Sequence, residues 1–188
     1  MRLRSFIGLL VCFFFSSRPL PAENWEKITA LSPDKKFAMR VTCDGKPEDP
    51  EHIEASSVKA IEIVSLPQKE VVGSLSVGEY GSFSLIWSVD SKWCAFYSMS
   101  GPRVGDTYIY RWRDNKFVRL ETDELSVPIN GDVRNQYVEP VRWLKPGTLV
   151  LKQEVIFRGD DARDSTIEFT VRFDESGKFR VISKRKKR

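Results

Sequence analysis

The stretch Trp87-Ser88-Val89-Asp90-Ser91-Lys92-Trp93-Cys94-Ala95 is the most informative part of the sequence, because its centre occurs twice in the chain. The earlier copy, Ser32-Pro33-Asp34-Lys35-Lys36-Phe37-Ala38, keeps the serine, aspartate, lysine and aromatic residue, and its serine precedes Ser88 by 56 residues. Trp87 precedes Trp143 by the same 56 residues, and Trp143 leads into another turn sequence. A fixed period of this size indicates a repeated structural unit.

Each of the three repeats divides into four short apolar runs separated by turn residues. Alternation is clearest at Ile167, Phe169 and Val171, and a period of two is typical of a half-buried strand. No window after residue 22 has a sustained helical period, so we expect little helix there. The predicted strands are Trp25–Leu31, Phe37–Cys43, Val58–Ser65, Glu70–Ser76, Phe83–Trp87, Trp93–Ser98, Thr107–Trp112, Phe117–Glu121, Tyr137–Trp143, Leu149–Phe157, Thr166–Phe173 and Phe179–Ser183.

Tight turns such as Arg113-Asp114-Asn115-Lys116 join the first strand of a unit to its second and the third to its fourth. Four antiparallel strands joined in this way form a meander, and meanders repeated radially form a propeller. The predicted fold is therefore all-β, with three four-stranded antiparallel meander units in a propeller-like open arc. Because three units cannot close a ring, a half-ring that pairs with a second copy and a β-sandwich of the same strands are the alternatives.

The chain opens with the pattern of a secretory signal peptide over residues 1–22. Arg2 and Arg4 precede an apolar run from Phe6 to Phe15, which is too short to span a bilayer, and a small-residue exit ends at Ala22. We expect a periplasmic or secreted protein without a transmembrane segment. Residues 23–183 are then one domain, with units at about 23–76, 82–121 and 137–183, and residues 184–188 form a basic, solvated, frayed tail.

The central motif resembles a known repeat family. Trp87–Phe96 is similar to the Trp-Ser-Pro-Asp-Gly-Lys-x-x-Ala-Phe signature of the WD40-like repeats in TolB-type propellers, and Ser32–Ala38 is a shorter match that keeps Pro33-Asp34. Gly105-Asp106 followed by Thr107–Tyr110 resembles the third strand of the same repeat. The resemblance implies propeller blades without implying a reaction, and it departs from the family in having only three units.

Charge and cysteine content limit the classes of partner. Residues 23–183 carry 22 basic and 26 acidic residues, so a nucleic-acid ligand is not expected, because its binder needs positive charge on the folded body. The tail adds five bases, for which weak attraction to anionic lipid or polymer is an alternative role. Cys43 and Cys94 fall in apolar runs, and the sequence allows either a disulfide or two buried thiols.

The sequence gives little support for a catalytic site or a metal-binding site. His52, the only histidine, stands in a polar loop and predicts a solvated side chain rather than a Ser-His-Asp relay. Cys43, Asp44 and His52 lack paired zinc-ligand spacing, and Asp160, Asp161 and Asp164 do not match a calcium loop, so no metal or cofactor is expected. The five tryptophans are interpreted as core residues rather than a carbohydrate platform.

Strand directions place the longer connections at one end of the molecule and the tight turns at the other. Long loops on a rigid β scaffold are where binding residues concentrate, so this loop face is the candidate site. We expect a non-enzymatic binding or scaffolding module for a protein or polar polymer, with self-association and a carboxylate-pair hydrolase or carbohydrate-active enzyme as alternatives. The candidate residues are Asp44, Glu51, His52, Tyr80, Arg103, Asp106, Arg134, Arg158, Asp160 and Asp161.

Overall fold

The computed structural model describes residues 24–76, 78, 80–159 and 164–187, so the predicted leader and the candidate residues Asp160 and Asp161 lie outside the described part. The described residues form twelve strands and one short 3-10 turn, Ala55–Ser57. The strands are β1 Asn24–Thr29, β2 Phe37–Asp44, β3 Val58–Ser65, β4 Val71–Leu75, β5 Tyr80–Trp87, β6 Trp93–Gly101, β7 Val104–Arg113, β8 Lys116–Arg119, β9 Val133–Lys145, β10 Thr148–Phe157, β11 Ser165–Phe173 and β12 Phe179–Lys187.

The strands pair as three antiparallel meanders in chain order. Unit 1 (β1–β4) is a sheet of its own, and unit 2 (β5–β8) and unit 3 (β9–β12) share one larger sheet. They share it through a short parallel bridge, in which Val104 faces Gln136 and Gly105 faces Tyr137. The predicted all-β class with three four-stranded meanders is confirmed. No helix in the described ranges has the length and apolarity needed to cross a membrane.

Unit 2 is buried on both faces because the two other units pack against it. In β6, Trp93 and Ala95 belong to the core shared with unit 3, whereas Cys94 and Phe96 belong to the core shared with unit 1. This explains why β6 reads as a continuous apolar run instead of an alternating one. Cys43 and Cys94 are free thiols buried in the core between units 1 and 2.

The 56-residue period is visible as a repeated turn. In the first copy Phe37 N donates to Ser32 Oγ (2.9 Å), and Ser32 Oγ donates to Asp34 Oδ1 (2.8 Å). In the second copy Trp93 N donates to Ser88 Oγ at 3.1 Å, and that hydroxyl contacts the corresponding carboxylate of the turn at 2.5 Å. The motif therefore encodes one turn geometry that positions the start of the second strand in units 1 and 2.

The contact between neighbouring units is repeated as well. Trp87 Nε1 donates to the carbonyl oxygen of Ala30 at 2.6 Å, and Trp143 Nε1 donates to that of Ile86 at 3.3 Å, so donors and acceptors are both offset by 56 residues. Each tryptophan belongs to a cluster with three further aromatic residues from equivalent strand ends. They are Phe37, Trp112 and Phe117 at the first contact, and Trp93, Phe173 and Phe179 at the second.

All five tryptophans pack on the two cores, as predicted. Trp93 and Trp143 are buried, and Trp25, Trp87 and Trp112 pack against the core between units 1 and 2. Aromatic side chains supply large apolar areas, so they account for much of the contact between these small sheets.

The predicted loop over residues 99–106 is wrong, whereas the predicted linker over residues 122–136 is free of strand up to residue 132 but is partly buried. Residues 99–106 form the end of a hairpin, in which Met99 pairs with Gly105 and only Pro102 and Arg103 lie between the strands. Residues 120–132, the crossover segment between β8 and β9, contribute Leu125 and Val127 to the core between units 2 and 3, each 4% exposed. Turn-forming and polar residues in both stretches hid backbone pairing and burial that depend on distant strands.

The basic end of the chain continues β12 beyond the predicted boundary at Ser183. Its backbone pairs with β11 as far as Thr166 opposite Lys187, and Lys187 Nζ contacts Glu168 Oε2 at 3.0 Å. Residues 184–187 are solvent-exposed, as expected, but they form a paired edge strand instead of a frayed tail. The ion pair between Lys187 and Glu168 is one side-chain contact that favours this strand pairing.

Candidate functional site

The predicted loop face is divided among three depressions. Arg103, Asp106 and Arg134 line a cleft where β7 separates from β9, which we call the fork cleft. Arg158 lies beside it in a shallower depression that also contains Arg103 and Arg134. Glu51 and His52 line a separate groove between units 1 and 2.

Asp44 and Tyr80 line neither of the two larger depressions. The Asp44 carboxylate binds Lys59 Nζ at 2.9 Å at the end of β2, and Tyr80 begins β5 with about half of its surface exposed. His52 Nδ1 lies 2.8 Å from Asp49 Oδ2, and its side chain is 86% exposed. This exposure fits a solvated histidine better than a buried catalytic relay.

The fork cleft exists because β7 has two partners along one edge. Its first residues bridge to β9, its last four pair with β8, and the crossover segment passes over the gap. The cleft has a volume of about 570 Å³. Its remaining lining includes Tyr108, Arg119, Asp123 and Glu124.

Hydrogen bonds fix the mouth of the fork cleft. Gln136 N donates to the carbonyl oxygen of Arg103 (2.9 Å), and Tyr137 Oη donates to that of Pro102 (3.1 Å). On the opposite wall Gln136 Nε2 donates to Glu124 Oε1 at 2.8 Å. These hydrogen bonds connect the hairpin tip, the start of β9 and the crossover segment to one another.

A buried amide clamps the crossover segment behind this wall. Gln153 is fully buried on β10, and its Oε1 accepts a hydrogen bond from Val127 N at 2.8 Å. Its Nε2 donates to the carbonyl oxygen of Val127 and to Gln136 Oε1, both at 3.2 Å. The side chain therefore pairs with the backbone of the crossover segment as an additional strand would.

The charges of the fork cleft are of both signs. Burial raises the pKa of Asp106, the negative charge of Glu124 raises it further, and the hydroxyl of Ser100 opposes the shift. The Arg119 guanidinium carbon lies 4.2 Å from the centre of the Tyr108 ring, which is a cation–π geometry. Burial and Asp106 also raise the pKa of Tyr108, against the effect of Arg119.

These groups suit recognition by hydrogen bonds and charge. Arginine presents a planar fork of donors for carboxylates or phosphates, and the acids accept from amines and amides. In the described ranges no cluster of three or more His, Cys, Asp or Glu residues is arranged to hold a metal ion. The cleft can bind a polar ligand through its charged and hydrogen-bonding side chains.

The groove between units 1 and 2 is more apolar. Met39, Val41, Phe83 and Leu85 form its floor, and its volume is about 560 Å³. At its rim Lys27 Nζ donates to the carbonyl oxygen of Pro50 at 2.7 Å and forms an ion pair with Glu51 at 3.0 Å. These two contacts attach the β2–β3 loop to β1, so Glu51 has a structural role.

Sequence reasoning missed several important residues. Tyr108 and Arg119 lie in predicted strands and Glu124 lies in a predicted linker, so the sequence indicates no binding role for them. Gln153 carried a usable signal, because it is the one amide among the inward positions Leu149, Leu151 and Val155. The fork cleft itself had no such signal, since it depends on a parallel bridge between strands of different units.

Compared with protein-family models and with curated protein sequences, the chain matches none.

Proposed function

We propose that this chain is an exported, non-enzymatic binding module that holds a polar segment of a protein or polymer partner in the fork cleft. The observation that carries the proposal is the presence of both charge signs in one cleft, with Arg119 stacked on Tyr108 and the half-buried Asp106 beside Glu124. A polypeptide segment offers both carboxylate and amine groups, so it can satisfy both kinds of residue.

The dimensions of the cleft support a ligand segment instead of a broad interface. Its volume of about 570 Å³ falls within the roughly 300–1,000 Å³ typical of ligand pockets. Its walls are tied together by the backbone bond between Gln136 and Arg103 and by the clamp of Gln153, so little ordering is needed on binding.

The N-terminal sequence and the repeated turns support export and a WD40-like repeat architecture. Residues 1–22 have the pattern of a secretory leader, which favours a periplasmic or secreted protein. The matching turns at Ser32 and Ser88 support the resemblance to WD40-like repeats, because the same serine and aspartate make the same contacts in both copies.

Site-specific photo-crosslinking tests the binding proposal. A photo-reactive residue at Asp123, in the cleft lining, is expected to give a discrete adduct in the native envelope or medium, and Arg103→Glu should remove that adduct. The matched probe at Asn115 lies in a tight turn at the opposite end and should give none. Equal adducts from both positions, or an adduct insensitive to Arg103→Glu, would contradict the proposal.

A carboxylate-pair hydrolase is the second candidate, favoured by the raised pKa of Asp106 beside Glu124. A raised pKa makes a carboxyl group better suited to act as a general acid. Asp106→Asn would then abolish turnover of a glycoside panel. Absence of turnover in the wild-type protein across that panel counts against the enzyme.

A further inference from the structure

The outer face of unit 3 is the exposed side of its four-stranded sheet, opposite the core. Strand register puts six basic and three acidic residues on this face. The basic residues are Arg142, Lys152, Arg172, Arg180, Arg185 and Lys187, and the acidic residues are Glu139, Glu154 and Glu168.

Each acidic residue of this face forms an ion pair with a lysine of the same face. Lys152 Nζ contacts Glu139 Oε2 at 2.8 Å and Glu154 Oε1 at 3.0 Å, and Lys187 binds Glu168. The hydrogen bond from Lys187 lowers the pKa of Glu168, and the charges of Arg142 and Arg185 add to this effect. The acids of this face are thus held by partners within it, and the surplus charge is positive.

The four arginines of the face carry that surplus. Arg142, Arg172, Arg180 and Arg185 are exposed, and none is within ion-pair distance of a carboxylate belonging to the described ranges. Arg172 and Arg180 stand directly opposite each other on β11 and β12. Like charges at such a pair are unfavourable, so an anionic ligand there relieves a cost present in the free protein.

The width of the face favours an extended ligand surface. Arg142 on β9 and Arg180 on β12 are separated by three strand spacings, about 14 Å, so the basic side chains are distributed across the full width of the sheet. Exposed apolar side chains accompany them on the same two strands, namely Leu144 (53%) and Ile182 (42%). Arginine mixed with exposed apolar residues is typical of surfaces that sit at a membrane interface.

The opposite end of the stack provides an internal comparison. The outer face of unit 1 carries Arg40 between Glu26 and Glu62, with Arg40 Nη2 and Glu62 Oε2 2.6 Å apart. That face therefore has no surplus of positive charge from these residues. The asymmetry between the two outer faces predicts a defined orientation on an anionic surface.

We infer that the outer face of unit 3 docks on a bilayer rich in anionic phospholipid headgroups. The phosphates lie over the arginines, the apolar side chains of β9 and β12 enter the interfacial region, and the fork cleft remains accessible. This membrane contact is independent of the binding proposed for the cleft, because it uses different residues.

Vesicle co-sedimentation tests the inference with protein that begins at Glu23 and so contains every described residue. Wild-type protein should sediment with phosphatidylglycerol–phosphatidylcholine vesicles and not with phosphatidylcholine alone, and added salt should weaken the binding. Each basic residue near an anionic surface contributes about fivefold, so Arg172→Glu with Arg180→Glu should lower partitioning by about 25-fold or more. The neutral pair, Arg172→Gln with Arg180→Gln, should show a smaller loss.

The matched control changes the same net charge elsewhere. Lys46→Glu with Lys92→Glu alters two exposed lysines, in the β2–β3 loop and the second repeated turn, and should change partitioning by less than about twofold. Melting curves confirm that each variant is folded. Equal losses in both charge-reversed pairs, or no vesicle binding by the wild-type protein, would overturn the inference.

Two further readouts assign orientation and ligand. An environment-sensitive dye at Ile182→Cys should shift to the blue on anionic vesicles, whereas the same dye at Ser74→Cys, on the outer face of unit 1, should not. Arginine-dependent retention on a soluble anionic polysaccharide without vesicle binding would replace the membrane with a polymer and overturn the proposal as stated.

Discussion

Replacing Gln153 by leucine removes the buried clamp on the crossover segment while keeping the side-chain volume. The change leaves Val127 N–H and C=O buried without their partners. Each such group costs about 1–3 kcal/mol, and the leucine returns about 2 kcal/mol through apolar burial. The expected net loss is about 2 kcal/mol, which corresponds to a fall of about 4–8 °C in Tm for a domain of this size.

Urea unfolding followed by tryptophan fluorescence measures this loss as a lower midpoint with an unchanged slope. Hydrogen exchange at the Val127 amide should accelerate in parallel, because its acceptor is gone. Gln68→Leu, in an exposed turn, is the matched control and should leave stability within about 0.5 kcal/mol. A Gln153→Leu protein within that same margin would refute the clamp.

Three further perturbations test other contacts. Asp106→Asn should raise Tm at neutral pH, because burial raises the pKa of Asp106 and its ionised form therefore costs stability in the folded state. The gain in Tm should vanish as the pH falls through that raised pKa. Tm measurements from pH 4 to 8 check this expectation. Trp87→Phe and Trp143→Phe each remove one hydrogen bond between units, and each should lower the free energy of unfolding by about 1–2 kcal/mol in a single cooperative transition. A second transition in urea would show that the units unfold independently. Ser32→Ala and Ser88→Ala should lower the unfolding midpoint by similar amounts, about 1 kcal/mol, since they remove the same turn contact in two copies; a difference above about 2 kcal/mol would contradict that equivalence.

The features of the fold that the sequence predicts are those that depend on residues close together in the chain. The Ser-x-Asp turns, the alternating strand β11 and the 56-residue spacing of Trp87 and Trp143 all result from residues close together in the chain. The structure also confirms the packing role of the tryptophans, because a meander must cover its apolar face with its neighbour.

The parts that sequence did not predict depend on contacts across units. Nothing near Val127 indicates that its backbone will pair with Gln153, and nothing near Val104 indicates a parallel bridge to Gln136. The fork cleft follows from both contacts, so only three of the predicted site residues, Arg103, Asp106 and Arg134, were found in it.

The double burial of unit 2 has a consequence for the timing of synthesis. A chain made from its N-terminus completes β7 at Arg113, but the strands that cover Trp93 and Ala95 end only at Phe173. At about 5–20 residues per second, this interval lasts roughly 3–12 s. Throughout it the nascent chain presents an apolar sheet face with no partner, so unit 3 completes the molecule and also ends its period of greatest exposure to aggregation.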